Sequence, residues 1–296
     1  FMGTPEFART VAEYLLLEHE IVLIISQPDA NRNRKKEWIY SPVKEFAIRN
    51  DIKLLQPEKV KDVAEEIMQT PADVIVTAAF GQILPKILLE HFPYKSINVH
   101  GSLLPKYRGG APIQRAIING DTMTGISIMY MKMKMDSGDI LQQEAIPILP
   151  SDTQDSMFEK LAHLGGKLLL ETLGLLEKGL VQAVAQNEAE VTYAYNLTKA
   201  DEVIDFSKSA QEVVNHIRGL NSNPGAYTLL DGEVLKIYGA KVTHDATNAQ
   251  AGEILSWKNK EIRVSCGDGL QIAIEQLQLA GKKKMSASEF INGAGR

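Results

Sequence analysis

Hydrophobic residues along this chain fall into two alternating patterns, and the alternation predicts the fold. Near-continuous apolar runs, Glu20-Ile21-Val22-Leu23-Ile24-Ile25-Ser26 and Asp73-Val74-Ile75-Val76-Thr77-Ala78, read as strands buried on both faces of a sheet. Around them lie stretches with helical spacing: Phe7 to Leu17, a helix opening at Ser41-Pro42 with Ser41 as N-cap, and Pro112 to Ile118, stopped by Asn119-Gly120. Ser96-Ile97-Asn98-Val99-His100 alternates apolar and polar positions and predicts another strand, ended by Gly101. Gly125 to Met131 and Ile140 to Ile146 predict two more, on either side of a loop holding Asp136. A long helix from about Thr153 to Lys178, capped by Ser151 or Asp152 and ended by Gly179, puts Leu168, Leu169, Leu173 and Leu176 in the core. Strands alternating with helices predict an α/β fold, a Rossmann-like, mostly parallel sheet with helices on both faces.

After Val191 the pattern changes. Tyr193 to Asp205 has little periodicity, and a helix from Ser209 to Leu220 follows, with Val213, Val214 and Ile217 on one face. Asn221-Ser222-Asn223-Pro224-Gly225 breaks it, and five short strands are predicted over 226–230, 234–242, 252–257, 261–266 and 270–279. Asp231-Gly232 and Asp268-Gly269 between them are hairpin signals. Such a string predicts a small C-terminal β-barrel of the OB type. The expected organisation is a sheet domain over 1–191, a linker over 192–205 and a barrel domain over 206–296, in keeping with a length of 296 residues.

Composition narrows the setting. Cys266 is the sole cysteine, so no internal disulfide can form, and a reducing, cytoplasmic compartment is expected. It reads as a small buried strand residue rather than a nucleophile. No apolar run approaches the roughly 20 residues that span a bilayer, so no membrane partner is expected. The chain opens at Phe1 with no strand ahead of its first helix, and a few residues of that strand are expected to precede it. A net charge of -5 argues against a polyanionic partner unless cations cluster locally. They do: Arg32, Arg34, Lys35 and Lys36 stand against Glu37 alone, with Trp38 and Tyr40 available for stacking, and Lys282, Lys283 and Lys284 form a second group.

Candidate chemistry begins with Asn98 and His100. Side chains two apart on a strand share a face, so a carboxamide and an imidazole project together where the strand ends. The amide can donate to a developing oxyanion, and the imidazole can move a proton near neutral pH. By itself the pair reads equally well as a half-exposed strand end with two solvated polar groups. A nicotinamide cofactor is disfavoured because Gly3-Thr4-Pro5-Glu6 is not G-x-G-x-x-G. A metal is not expected either, since His19, His91, His163, His216 and His244 lie in ordinary helix, turn or loop contexts.

The longer string Asn98-x-His100-x-Ser102-Leu103-Leu104-Pro105, with Asp136 ahead of Ser137-Gly138-Asp139, resembles the folate-dependent formyltransferases. The resemblance extends over essentially the whole chain, through Phe1-Met2-Gly3-Thr4-Pro5-Glu6-Phe7-Ala8, Ser41-Pro42-Val43-Lys44, Ala78-Ala79-Phe80-Gly81-Gln82-Ile83-Leu84-Pro85 and Gly281-Lys282-Lys283-Lys284-Met285. It implies that Asn98, His100 and Asp136 form the catalytic trio and that the formyl donor is 10-formyltetrahydrofolate. Asn98 would then donate to the oxyanion, and His100 would pass a proton to the departing folate nitrogen. Asp136 would orient His100 and favour its charged form. Asp139 keeps the reading of an ordinary turn acid. The resemblance also implies that Ser102, Leu103, Leu104 and Pro105 help hold folate. Phe80, Ile83 and Leu84 read equally as a wall of the pterin pocket or as core.

Arg108-Gly109-Gly110-Ala111-Pro112-Ile113-Gln114-Arg115 resembles the members that formylate methionine on initiator tRNA, and it is lacking in the member acting on glycinamide ribonucleotide. In those tRNA-directed members a basic loop after the second strand meets the acceptor arm. Arg32, Arg34, Lys35 and Lys36 occupy that place here, although Ala30-Asn31-Arg32-Asn33-Arg34 replaces the usual Pro- and Gly-rich stretch. The expectation is therefore a monomeric transferase whose partners are folate and initiator methionyl-tRNA. Two alternatives stand beside it. One is a sister formyltransferase acting on a nucleotide-sugar amine, which shares Ser-Leu-Leu-Pro-Lys-Tyr-Arg-Gly. The other is a non-catalytic RNA-binding protein, which gives no reason for Asn98, His100 and Asp136 to stand together.

Overall fold

A computed structural model describes residues 1–32, 38–256 and 261–294. In chain order the first elements are β1 (Met2–Gly3), α1 (Glu6–Glu18), β2 (Ile24–Ile25), the paired β3 (Asn31–Arg32) and β4 (Trp38–Ile39), α2 (Pro42–Arg49) and β5 (Leu54–Leu55). After these come α3 (Ala64–Met68), β6 (Ile75–Ala78), α4 (Lys86–Leu89), β7 (Ser96–His100), α5 (Pro112–Ile118), β8 (Met123–Tyr130), β9 (Ile140–Pro147) and α6 (Gln154–Glu177). They build a seven-stranded sheet in the order β5-β2-β1-β6-β7-β8-β9. The neighbours from β5 to β7 are parallel, and β8 runs antiparallel to β7. The chain moves outward from β1 to β2 and β5, then returns to the other side of β1 to lay down β6 and β7. Doubly wound sheets bind their ligands where that reversal occurs, beyond the carboxyl ends of the strands.

Both sheet faces are packed against helices. On one, Met2, Leu23, Ile25 and Ile75 pack with Ile67 of α3 and Leu88 and Leu89 of α4. On the other, α6 lies so close that a Cβ on Gly165 would come within 2.8 Å of Val99, and one on Gly166 within 2.4 Å of the Tyr14 ring of α1. The adjacent glycines let this helix seat against β7 and α1. Leu168, Leu169, Leu173 and Leu176 of α6 are buried as predicted. Ser41 caps α2 by accepting the Lys44 amide at 3.2 Å. In α6 the Ser156 amide donates to Thr153 Oγ1 at 3.3 Å, one residue beyond the predicted caps Ser151 and Asp152. The apolar run at Glu20–Ser26 forms a strand only at Ile24–Ile25, although Ile21 and Leu23 are also buried.

A second compact unit comprises residues 113–122, 147–157 and 196–296. It contains α7 (Ala210–Gly219), β10 (Ala226–Leu230), β11 (Glu233–Ala246), β12 (Ile254–Ser256), β13 (Ile262–Ser265), β14 (Leu270–Leu279), β15 (Met285–Ser286) and a single turn, α8 (Ala287–Glu289). Ser209 and Glu212 cap α7 reciprocally, and Val213, Val214 and Ile217 face the core with Ile237, Ile272 and Leu277. The strands form a curled antiparallel sheet, β10-β11-β14-β13-β12. One edge of β14 carries β11, while the other carries β13 along its first half and β15 along its second. That sixth strand, β15, was not predicted, because two residues are too few to alternate. Asp231 and Gly232 both have positive φ (51° and 85°), the geometry that a two-residue Asp-Gly hairpin demands. Among the described residues no helix is long and apolar enough to cross a membrane.

Cys266 lies in this second core, and burial pushes its thiol up to about 11. Since the thiolate is the reactive form, iodoacetamide at pH 8 should leave Cys266 unmodified in the folded protein and alkylate it in denaturant. Equal labelling rates in the two states would contradict the packing described.

Candidate active site

The site is built at the end of β7. Asn98 pairs in register with Thr77 of β6 and Met129 of β8, and His100 with Ser127 of β8. Because Val99 points at α6, Asn98 and His100 project together from the opposite face. The Thr77 hydroxyl donates to Asn98 Oδ1 at 2.7 Å. This fixes the carboxamide and leaves its Nδ2 hydrogens without a partner among the described residues.

His100 is buried, and an acceptor stands at each ring nitrogen. Nε2 lies 3.0 Å from the Tyr107 carbonyl, and because a carbonyl only accepts, Nε2 is the donor. Nδ1 faces Asp136 Oδ2 across 3.8 Å, within ion-pairing range but longer than a hydrogen bond. The segment 107–109 therefore touches both groups, for the Gly109 amide donates to Asp136 Oδ2 at 2.8 Å. Gly109 adopts φ +126°, and a Cβ there would meet the Ala194 carbonyl at 2.6 Å. Only glycine lets the strand pass so close. The backbone of Arg108 pairs with the returning segment, its amide donating to Thr192 O (2.9 Å) and its carbonyl accepting from the Ala194 amide (2.7 Å).

Asp136 has φ +48°, a left-handed conformation that Asp tolerates better than most residues. Gln186 holds its carbonyl at 2.8 Å. Asp139 instead pairs with exposed Lys132 at 2.7 Å and behaves as a surface turn acid. Arg108 is wholly buried. Its Nη2 meets Glu188 at 2.7 Å, and Lys134 meets the other Glu188 oxygen at 2.8 Å. The hydrogen bond from Arg108, then that from Lys134, lowers the Glu188 carboxyl to about 2. Sequence reasoning did not single out Arg108 as an isolated side chain, nor Gln186 or Glu188 at all. The one signal available was the place of Arg108 in the string Arg108-Gly109-Gly110-Ala111-Pro112.

The remaining expected residues are placed as follows. Ser102 is buried, its hydroxyl donating to Lys106 O at 2.7 Å, while its carbonyl accepts from Ser127 Oγ at 2.6 Å. The Leu104 amide donates to Ser127 Oγ at 3.0 Å, and Gln143 Nε2 donates to Leu104 O at 2.8 Å. These bonds make Ser102-Leu103-Leu104-Pro105 a firmly held turn beside His100. Phe80 and Leu84 lie in the core with Ile67 and Leu88, whereas Ile83 is exposed. Arg34, Lys35 and Lys36 lie outside the described residues, as does the Arg32 side chain. Lys282, Lys283 and Lys284 are exposed in the turn between β14 and β15, with Lys284 Nζ 4.5 Å from the centre of the Tyr238 ring.

Comparison with known proteins shows the family of the chain. Residues 1–173 match the family described as formyl transferase, and residues 196–295 match its C-terminal domain. A relative from Staphylococcus aureus strain MW2, named methionyl-tRNA formyltransferase, is 44% identical over 296 residues, covering 99% of this chain and 95% of the relative. Among solved structures, an N-formyltransferase from Helicobacter canadensis, in complex with folinic acid and dTDP-3-aminofucose, shares the fold. Its TM-score is 0.71 at 21% identity, over 92% of this chain and 97% of the other. HypX from Aquifex aeolicus, in complex with tetrahydrofolic acid, gives a TM-score of 0.63 at 16% identity, over 92% of this chain and 47% of that one.

Glu188 supplies a pH test. Its folded value lies below its unfolded one, so its contribution to stability is present above the ordinary value of 4.5 and is lost as pH falls through about 2. The stability gap between wild type and Glu188→Gln, read from urea titrations, should therefore narrow as the pH is lowered from about 5 to about 3. A gap independent of pH over that interval would show that Glu188 is not held ionised by Arg108 and Lys134.

Proposed function

The chain belongs to the formyl transferase family, and on that footing we propose that it moves the formyl group of 10-formyltetrahydrofolate onto the amino group of methionine carried by initiator tRNA. The observation that carries this reading is the meeting of an amide donor, an imidazole and a carboxylate at one strand end, with Asn98 Nδ2 unpartnered among the described residues. The relative from Staphylococcus aureus, matched nearly end to end, supports methionyl-tRNA as the acceptor.

The chemistry follows from the positions of these side chains. A bond forms between the neutral amine nitrogen and the formyl carbon, and the bond from that carbon to the folate nitrogen breaks. The amine loses one proton and the folate nitrogen gains one. Asn98 Nδ2 is the donor for the oxygen that becomes negative as the amine adds. His100, in its protonated form, would supply the proton to the leaving nitrogen from Nε2, giving up its bond to the Tyr107 carbonyl, while Asp136 on the Nδ1 side holds the ring for that transfer. Ser102 needs no nucleophilic role, because its hydroxyl is engaged by Lys106 O. The Ser102–Pro105 turn would hold the folate mainly through its backbone and the apolar surface of Leu103 and Pro105, with exposed Ile83 available to the pterin. Recognition of tRNA falls to Arg32, Arg34, Lys35 and Lys36, with Lys282, Lys283 and Lys284 as a second contact. The enzyme would work as a cytoplasmic monomer and would need no metal.

Incubation with 10-formyltetrahydrofolate and either methionyl-tRNA or an amino-sugar nucleotide tests the assignment. Transfer to the sugar and not to the tRNA would overturn it, and binding of tRNA without any transfer would leave only an RNA-binding protein. Asn98→Ala and His100→Ala should each lower turnover on the order of a hundredfold, with folate affinity little changed. Asp136→Asn should be crippled with an altered pH–rate profile. Near-wild-type turnover in both alanine variants would remove the trio from the chemistry.

The basic residues give a separate test. Changing Arg32, Arg34, Lys35 and Lys36 together to Ala should weaken tRNA binding and flatten its salt dependence by about one unit of slope per lost phosphate contact. Unaltered affinity and slope would make that stretch a solvated surface loop.

A further inference from the structure

Gln186 is fifty residues from Asp136 in sequence and makes the firmest contacts to the loop that carries it. Its Nε2 donates to two carbonyls at once, Asp136 O at 2.8 Å and Gly138 O at 2.7 Å. Its Oε1 accepts from Arg108 twice, from Nε at 3.0 Å and from Nη2 at 2.8 Å. A guanidinium can only donate and a carbonyl can only accept, so the amide has a single satisfactory orientation and uses both ends fully. Behind it, Arg108 is wholly buried and is itself anchored by Glu188.

Arg108 also sits between the two backbone groups that touch the reacting pair. The carbonyl before it, of Tyr107, takes His100 Nε2, and the amide after it, of Gly109, reaches Asp136 Oδ2. Backbone 107–109 thus holds His100 and Asp136 from one side, while the Arg108 side chain, through Gln186, holds the backbone of Asp136 from the other. Gly138 completes the fixation, because its Cα lies so close to the Tyr130 carbonyl that a Cβ would fall 1.6 Å from that oxygen. The other charged groups of the loop are already engaged, Lys132 with Asp139 and Lys134 with Glu188.

The geometry points to Gln186, backed by Arg108, as a positioning residue that holds Asp136 at its working distance from His100. This rests on the reading that Asp136 serves His100. The physical reason is that a carboxylate on an exposed loop, in a left-handed conformation, does not stay in register with an imidazole unless its backbone is fixed as well as its side chain. Small misplacements of a catalytic group cost rate far out of proportion to their cost in stability.

Gln186→Met keeps the length of the side chain and removes both its donors and its acceptor. It should lower kcat about tenfold or more while KM for each substrate changes little. Combined with Asp136→Asn, it should add nothing beyond the loss that Asp136→Asn causes alone, since residues that act through one another are not additive. A readout that does not depend on the acceptor is amide hydrogen exchange in protein labelled with 15N-glycine. The Gly109 amide, which donates to Asp136, should lose about tenfold or more of its protection in Gln186→Met. The amides of Gly252 and Gly267, bonded to Ser265 O and Lys208 O, should be unchanged. Multiplicative losses in the double variant, or unaltered exchange at Gly109, would overturn the assignment. Should Gly252 and Gly267 also speed up, the variant has loosened generally. Gln186→Glu, which keeps the acceptor for Arg108 and sets a carboxylate against the two carbonyls, then replaces it under the same criteria. Failure of the wild-type protein to formylate methionyl-tRNA would count against the acceptor and leave the exchange result standing.

Discussion

β7 enters the sheet between a parallel and an antiparallel neighbour, and its register against both is the constraint on which the site depends. Thr77 stands opposite Asn98 and Ser127 opposite His100, while Val99 between them is packed onto α6. A slip of one residue would turn Val99 out and drive the amide and imidazole into an apolar helix contact. Exposing a buried valine costs roughly 1.5–3 kcal/mol, and burying two polar groups without partners adds to that. The face that carries Asn98 and His100 is therefore specified by hydrophobic packing on the reverse side of the strand. Gly165, whose missing side chain leaves room for Val99, is what allows that packing to be so tight.

A second layer of organisation comes from chain segments that return to the strand end from a distance. Residues 192–194 lie beside 105–111 and bond to Arg108 and Ala111 through the backbone. The segment carrying Gln186 and Glu188 runs just ahead of them. The candidate groups on one strand and one loop are thus framed by a stretch whose regular structure is limited to a 3-10 turn at Glu188–Glu190 and isolated bridges, and the frame relies on hydrogen bonds more than on burial. Such a frame has little slack: removing one buried partner leaves another unsatisfied.

Much of this was legible in the sequence, for identifiable reasons. The β7 alternation, the Ser41-Pro42 helix start, the leucine face of α6 and the apolar face of the helix after Ser209 are local signals, and the structure returns each at or within a few residues of its expected place. Asp231-Gly232 specifies its turn because the required backbone angles belong to those residue types. What periodicity could not provide is long-range partnership. Nothing around Gln186 announces that its amide meets Arg108, because the pairing is set by tertiary packing. Tyr193 and Ala194 show no side-chain pattern for the same reason: they pair with Arg108 by backbone alone. The run at Glu20–Ser26 shows the converse, where apolar character predicted burial correctly and strand pairing too generously.

The position of β14 in the second unit has a consequence for how the protein is made. Three strands hydrogen-bond to it, and two of them, β11 and β13, come before it in the chain. During synthesis the ribosome delivers β11 and β13 before their shared partner exists, so the open edge of β11 waits until residues near 279 emerge. The first sheet, by contrast, has all its strands in hand once β9 is out. An unpaired strand edge is a template for pairing with another chain. The vulnerable interval in the life of this molecule thus falls late in translation, and a codon change or arrest that lengthens the wait before β14 would favour aggregation without altering a single residue of the folded enzyme.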